Sequence, residues 1–194
     1  MKSINRFCIP KNLFLIISLF CSSILAEKPC DFSLFDLAFT SGYIWKNDHN
    51  FKQTYGNGIP DYITADACFY PLTYAGVGVK TSYWEAKGKT MNMNQPAKLY
   101  EVPLIGYLRL RYGYWLQGYV SLGGGAIFLK EKSYLGVVTQ IVGIGEAEIG
   151  FNYFPHTNFY LTGAFRYLFP RQKSSGETVD FGGYGLRGGI GFCY

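Results

Sequence analysis

The last fifteen residues, D-F-G-G-Y-G-L-R-G-G-I-G-F-C-Y from Asp180 to Tyr194, constrain the fold more than any other stretch of the chain. Alternate positions carry Tyr184, Leu186, Ile190, Phe192 and Tyr194, while the other parity carries Phe181, glycines, Arg187 and Cys193. Side chains of a strand point alternately to opposite faces, so this period of two predicts a strand with one apolar, aromatic face. Exposed in water, such a strand is an aggregation hazard. It is stable where the apolar face meets lipid and the backbone is paired in a closed barrel. The run therefore predicts a strand that closes a membrane barrel.

The other end agrees on the compartment. Lys2, Arg6 and Lys11 form a basic leader, Leu13 to Phe20 is an apolar core, and Ser22, Ser23 and Ala26 are small. That order predicts a secretory signal peptide over residues 1–26, cleaved after Ala26. The apolar core is shorter than the ~20 residues a spanning helix needs. Phe20 before Cys21 is too bulky for a lipoprotein signal. The leader holds three of the 18 Lys/Arg residues and no acid, so the formal charge of +5 belongs mostly to it. The remainder, residues 27–194, lacks the concentrated basic face that nucleic acid requires. It forms a single predicted domain whose only route through a membrane is by strands.

Eight stretches alternate with period two: Phe32–Trp45, Asp61–Pro71, Tyr74–Ala86, Leu99–Tyr112, Trp115–Phe128, Thr139–Phe154, Phe159–Phe169 and Val179–Tyr194. Most reach the roughly 9–11 residues that a tilted strand needs to cross a bilayer. In the fourth, Val102, Leu104, Leu108, Leu110 and Tyr112 oppose Glu101, Tyr107, Arg109 and Arg111. In the sixth, Ile141, Ala147, Ile149, Phe151 and Tyr153 oppose Gln140, Glu146, Glu148 and Asn152. In the seventh, Phe159, Leu161, Phe165, Tyr167 and Phe169 oppose Thr162 and Arg166.

The links alternate as well. Leu72–Thr73, Gly113–Tyr114 and Pro155–Asn158 are short, whereas Lys46–Pro60, Lys87–Lys98, Leu129–Val138 and Pro170–Thr178 are long and polar. Short turns at one end and long loops at the other, around an even strand count, predict an all-β, eight-stranded antiparallel up-and-down transmembrane barrel. Aromatic residues make up 19% of the chain and can populate both interfacial girdles; Tyr43 and Trp45 fall at the loop end, and Tyr112, Tyr153, Phe159 and Tyr194 at the turn end. The 24 glycines suit a tightly curved wall.

In this layout the chain resembles the eight-stranded outer-membrane barrels, the class that includes OmpX, the OmpA transmembrane domain, OmpW and the opacity-type surface proteins. The resemblance covers all of residues 27–194 in strand number and loop asymmetry. Its local motif is the final strand, where Ile190, Phe192 and Tyr194 look like the signal read by the barrel assembly machinery, though that signal more often ends in Phe. The resemblance implies a bacterial outer membrane, contact with its lipid, that assembly machinery as a partner, and an extracellular partner reached through the loops. It implies no cofactor. Fold alone does not fix function.

Inward parity selects five acids, Asp36, Asp66, Glu101, Glu146 and Glu148, and five bases, Lys80, Arg109, Arg111, Arg166 and Arg187. Counted from the turn end, Asp36, Asp66, Lys80, Glu146, Glu148, Arg166 and Arg187 fall at similar depth, which predicts one band of charge across the middle of the barrel, blurred by strand shear. Charges in so narrow an interior are costly unless paired, so the band is expected to be a salt-bridge plug. Trapped water is the alternative partner for some of these groups.

Catalytic candidates are few. Lipid A deacylases and palmitoyltransferases use eight-stranded barrels, and both depend on a histidine with a serine near the outer leaflet. His156 lies in a short turn at the wrong end, and His49, in the first long loop, has Phe51 where an H-x-S element needs serine. Both fit solvated histidines better than catalysts. No cluster has metal-ligand spacing. Cys30, Cys68 and Cys193 remain once the leader is gone; Cys30 and Cys193 meet at the closing seam and are candidates for a bridge, with free thiols or an intermolecular bond through Cys68 as rivals.

These readings order the functions. First comes a non-enzymatic surface barrel with a charge-plugged lumen, acting through its outer loops in surface interaction or envelope integrity. Second comes OmpW-like binding or passage of a small hydrophobic molecule, which needs an apolar upper lumen; Phe32, Leu34, Ile44, Val142 and Ile144 have the required parity. A lipid A-modifying enzyme is the remote third.

Overall fold

The computed structural model describes residues 34–89, 95–170 and 182–194. Eight strands run in chain order: β1 (Phe35–Lys46), β2 (Gly58–Leu72), β3 (Ala75–Lys89), β4 (Pro96–Tyr112), β5 (Leu116–Ser133), β6 (Gly136–His156), β7 (Phe159–Pro170) and β8 (Gly183–Cys193). Each pairs antiparallel with the next, and β8 returns to β1, closing the barrel. The seam pairs without interruption from Asp36↔Cys193 to Lys46↔Gly183. The expected leader, residues 1–26, lies outside the described residues, as do Cys30 and Phe32.

Alternation in the sequence becomes alternation in space. Along β4 every second residue from Ala97 to Arg111 is buried, and its neighbours are exposed except Tyr100, which is half-buried. The exposed set is apolar: Val102, Leu104, Leu108 and Leu110 on β4, Val120 and Leu122 on β5, Ile149 and Phe151 on β6. Aromatic rings bound this belt. At the loop end Tyr43 meets Trp45 at 5.1 Å between ring centres, Trp45 stacks on Tyr184 at 5.4 Å, and Tyr62, Tyr83 and Tyr100 form a chain. At the turn end Tyr74 faces Tyr112 and Phe159 faces Phe192.

The wall is thinned from inside by three cross-strand pairs of glycine and tyrosine: Gly78↔Tyr107, Gly150↔Tyr119 and Gly191↔Tyr160. A Cβ at each glycine would collide with the facing tyrosine ring, so the ring lies over a backbone with no side chain to displace it.

Three links are short as expected: Thr73–Tyr74, Gly113–Trp115 and Thr157–Asn158. Three long ones differ. Within Lys87–Lys98, β3 and β4 stay paired as far as Lys89↔Pro96. The stretch Leu129–Val138 is not a loop: β5 and β6 stay paired from Leu129↔Gln140 to Ser133↔Gly136 and turn on Tyr134–Leu135, with Gly136 at φ 128°. Beyond Leu129, from Lys130 to Gln140, no side chain is buried, so the sequence loses hydrophobic alternation although its ladder continues. Between β1 and β2 lies a helix, α1 (His49–Tyr55), capped by Asp48, whose carboxylate accepts from the Phe51 amide at 2.7 Å.

A ladder without an edge gives detergent no place to begin unfolding. The folded protein is expected to migrate differently on gels before and after boiling; identical mobility of the two samples would contradict a closed barrel.

Candidate functional site

The interior is the most specific part of the molecule. Six charged side chains from β2, β3, β4, β6 and β8 meet in its middle, all nearly inaccessible to solvent. Lys80 Nζ lies 2.5 Å from Glu146 Oε1 and 3.2 Å from Glu148 Oε2. Arg187 Nη2 lies 2.7 Å from Glu148 Oε1 and 3.0 Å from Asp66 Oδ2, and Arg109 Nη2 donates to the same Asp66 oxygen at 2.7 Å. Tyr119 donates to Glu148 at 3.1 Å and Tyr107 donates to Asp66. The Arg109 guanidinium sits against both rings, 4.7 and 4.5 Å from their centres. Three acids thus meet three bases, and the cluster is neutral. Neutrality, with several hydrogen bonds to Asp66 and to Glu148 and one from Lys80 to Glu146, is what makes the buried charge tolerable.

Two members of the expected band, Asp36 and Arg166, pair outside this central cluster. Asp36 pairs with Arg111 at 3.5 Å toward the turn end, where Arg111 also donates to the Thr73 carbonyl at 3.0 Å and lies over the Tyr70 ring. Arg166 pairs with Asp61 at 2.6 Å, and Asp61 accepts from Thr64 at 2.8 Å. Nearer the loop end, Glu101 pairs with Lys46 at 2.9 Å. Barrel shear staggers equal sequence depths into different heights.

Asp61 and Lys46 escaped the parity argument for identifiable reasons. Tyr62 and Ile63 are both exposed, at 53% and 52%, because β2 carries an extra residue relative to both neighbours. That bulge switches parity and turns Asp61 inward. Lys46 has the inward parity of β1 but stands one residue beyond the expected strand end. With them the barrel holds six buried acids and six buried bases among the described residues.

Above the central cluster the lumen is mostly apolar, built around the Lys46–Glu101 and Arg166–Asp61 pairs, whose cations lie against the Trp84 ring. Ile44, Ile59, Trp84, Ile105, Ile127, Val142, Ile144 and Leu168 form one packed cluster, and Phe51 and Tyr55 of α1 pack against it. Ile44, Val142 and Ile144 therefore stand where parity put them. Leu34 does not: it is 59% exposed and lies outside the interior. The Tyr55 hydroxyl donates to Glu131 Oε1 at 2.8 Å, latching α1 to the β5 wall. Partial burial, and then Glu131 itself, push this phenol above its ordinary range.

The remaining candidates are quickly placed. His49 is exposed at the start of α1 beside Gln53, and His156 is exposed beside Thr157. Ile190, Phe192 and Tyr194 all face outward. Cys68 is a buried free thiol. Cys193 is disulfide-bonded; Cys30, its candidate partner, lies outside the described residues.

Comparison with solved structures decides the class. OprG from Pseudomonas aeruginosa superposes with a TM-score of 0.62 at 12% identity, over 87% of this chain and 98% of its own. Neisserial surface protein A gives 0.60 at 12% identity, over 84% and 98%. The attachment invasion locus protein Ail of Yersinia pestis gives 0.53 at 12% identity, over 82% and 96%, and has also been solved with the heparin analogue sucrose octasulfate. The chain is an eight-stranded barrel of the outer-membrane type. Its apolar belt, bounded by aromatic rings and closed at the seam, places it in that membrane. No family model matches the sequence, and no curated protein is similar to it. At such identities the shared property is the fold.

Proposed function

We propose that this protein is a sealed, non-enzymatic outer-membrane barrel that acts through its outer surface, in surface interaction or envelope integrity. The observation that supports this is the contact between side chains from opposite walls. Lys80 of β3 reaches Glu146 and Glu148 of β6, Arg166 of β7 reaches Asp61 of β2, and Lys46 of β1 reaches Glu101 of β4, each three strands away around the barrel. Such contacts cross the lumen instead of lining it. Above them come the packed apolar cluster and the α1 cap, so three successive layers oppose a water path. On this reading the turns face the periplasm, and the hairpin tip at Tyr134–Leu135 and α1 face outward. Ail, with its heparin analogue, illustrates a barrel of this architecture offering a surface to an external ligand. The outward Ile190, Phe192 and Tyr194 serve as the assembly signal, and a Cys30–Cys193 bond ties the seam.

The test is electrical. Protein reconstituted in planar bilayers is expected to give no steady conductance of porin size. Porin-like steps would contradict a sealed lumen.

One observation favours a second reading, in which a small hydrophobic molecule enters from outside. The upper lumen is mostly apolar, and a phenol–carboxylate bond fastens its cap to the β5 wall. Tyr55→Phe removes that bond while keeping the ring. If passage is the function, this variant should raise uptake of a lipophilic probe into liposomes; unchanged uptake would leave the sealed barrel as the reading.

A further inference from the structure

The outer wall has a feature that neither the lumen nor the cap requires. On β4 the outward apolar run ends at Tyr100, and the next outward residue is Lys98. On β5 Phe128 is followed outward by Lys130 and Lys132, and on β3 Tyr83 and Glu85 are followed by Lys87 and Lys89. The register sets these lysines side by side: Lys87↔Lys98 across β3–β4 and Lys98↔Lys132 across β4–β5. Like charges directly opposite one another in a sheet are destabilising. Among the described residues one acid stands on this patch, Glu85, 3.4 Å from Lys87, and the Lys132 ammonium lies 5.5 Å from the centre of the Tyr100 ring. Lys89, Lys98 and Lys130 have no acidic partner among the described residues. Glu131 points to the other face and holds Tyr55.

Height and direction identify what this wall meets. From Tyr112 to Tyr100 the β4 run spans about 31 Å along the barrel axis, at a rise of about 3.4 Å per residue and a tilt of about 40°. That matches a hydrocarbon core of about 30 Å, and Lys98 then stands about 5 Å beyond it, among the headgroups. The lysines project sideways from the barrel, so they face neighbouring lipids instead of a partner descending from the medium. The opposite wall is different: at its loop end β1 and β8 present Tyr43, Trp45 and Tyr184.

We propose that the β3–β5 wall is a binding site for phosphate-bearing lipid headgroups of the outer leaflet, held by Lys87, Lys98, Lys130 and Lys132 above the Tyr83–Tyr100 girdle. The inference rests on the outward assignment of the loop end given above. A phosphate between Lys98 and Lys132 converts a repulsive row into an attractive one, and the tyrosine rings below hold the acyl region at the correct depth.

The test uses the folded barrel in nanodiscs of phosphatidylcholine with a minority of a bisphosphorylated glycolipid, followed by native mass spectrometry of retained lipid. The protein is expected to retain the phosphorylated glycolipid in preference to its dephosphorylated form. Lys98→Gln, Lys130→Gln and Lys132→Gln combined should lower that preference by about tenfold or more, since one basic residue near a charged surface is worth up to about fivefold. Lys52→Gln, on exposed α1, should leave it unchanged. Equal retention of both glycolipids, or a triple variant that behaves like the parent, would overturn the proposal. So would heparin binding by the detergent-solubilised barrel without glycolipid retention, which would assign the wall to a soluble polyanion. Unboiled gel mobility, measured on every sample, separates loss of the site from failure of the barrel itself.

Discussion

Glu148→Ala is expected to lower the stability of the folded barrel by about 3–5 kcal/mol, read as a fall in the urea midpoint for loss of the fast-migrating form. Glu148 receives Lys80, Arg187 and Tyr119 at 3.2, 2.7 and 3.1 Å in a site nearly closed to water. Removing it leaves three bases facing two acids, Asp66 and Glu146, in a narrow interior with little water to take up the excess. Part of the loss is cavity and part is charge, and a second pair of variants separates them. Glu148→Gln keeps the volume but leaves the same imbalance, so it should remain strongly destabilising. Lys80→Met added to Glu148→Gln restores neutrality, with Arg109 and Arg187 against Asp66 and Glu146. The double variant is expected to be more stable than the sum of its parts by about 1–3 kcal/mol. Strict additivity would mean that charge balance does not hold the network together.

What could be read from the chain follows from how local each signal is. Strand number, antiparallel order and faces depend on period two over about ten residues, and these were legible: the Val102–Tyr112 and Phe159–Phe169 alternations hold side chain by side chain. The final strand, β8, pairs along its whole length with β1. Structure that departs from a single period was not legible. The bulge at Tyr62–Ile63 hid Asp61, because two adjacent outward residues break the count. The Leu129–Val138 stretch reads as a loop because no side chain beyond Leu129 is buried, which removes the apolar signal while the backbone ladder persists. Partners within the lumen were also out of reach. Parity says that Arg166 and Asp36 point inward; only shear decides that Arg166 meets Asp61 and Asp36 meets Arg111. The lysine wall needed register, since Lys87, Lys98 and Lys132 are far apart in sequence and adjacent only across strands. Composition hid it as well, because the basic excess seemed to reside in the leader.

Ile149→Arg should be far more damaging than Thr162→Arg, although the two positions lie on adjacent strands. Ile149 is 59% exposed on the lipid side, paired across strands with Val120 and Phe165. An arginine there must place its guanidinium in hydrocarbon or bend it along the wall to reach headgroups. The expected cost is about 2–4 kcal/mol. Thr162 has the opposite parity, at the turn end of the lumen, opposite Asn152 on β6 and Gly189 on β8. A guanidinium at that position opens toward water and amide groups, so the expected loss is below about 1 kcal/mol. Refolding into vesicles and urea midpoints for both variants provide the comparison. The difference matters because a strand has only two faces. Slipping β6 by one residue would expose Glu146 and Glu148 to lipid and bury Ile149 among the charges. Equal effects at the two positions would place the error in the register of β6 against β7, and the central ion pairs would fall with it.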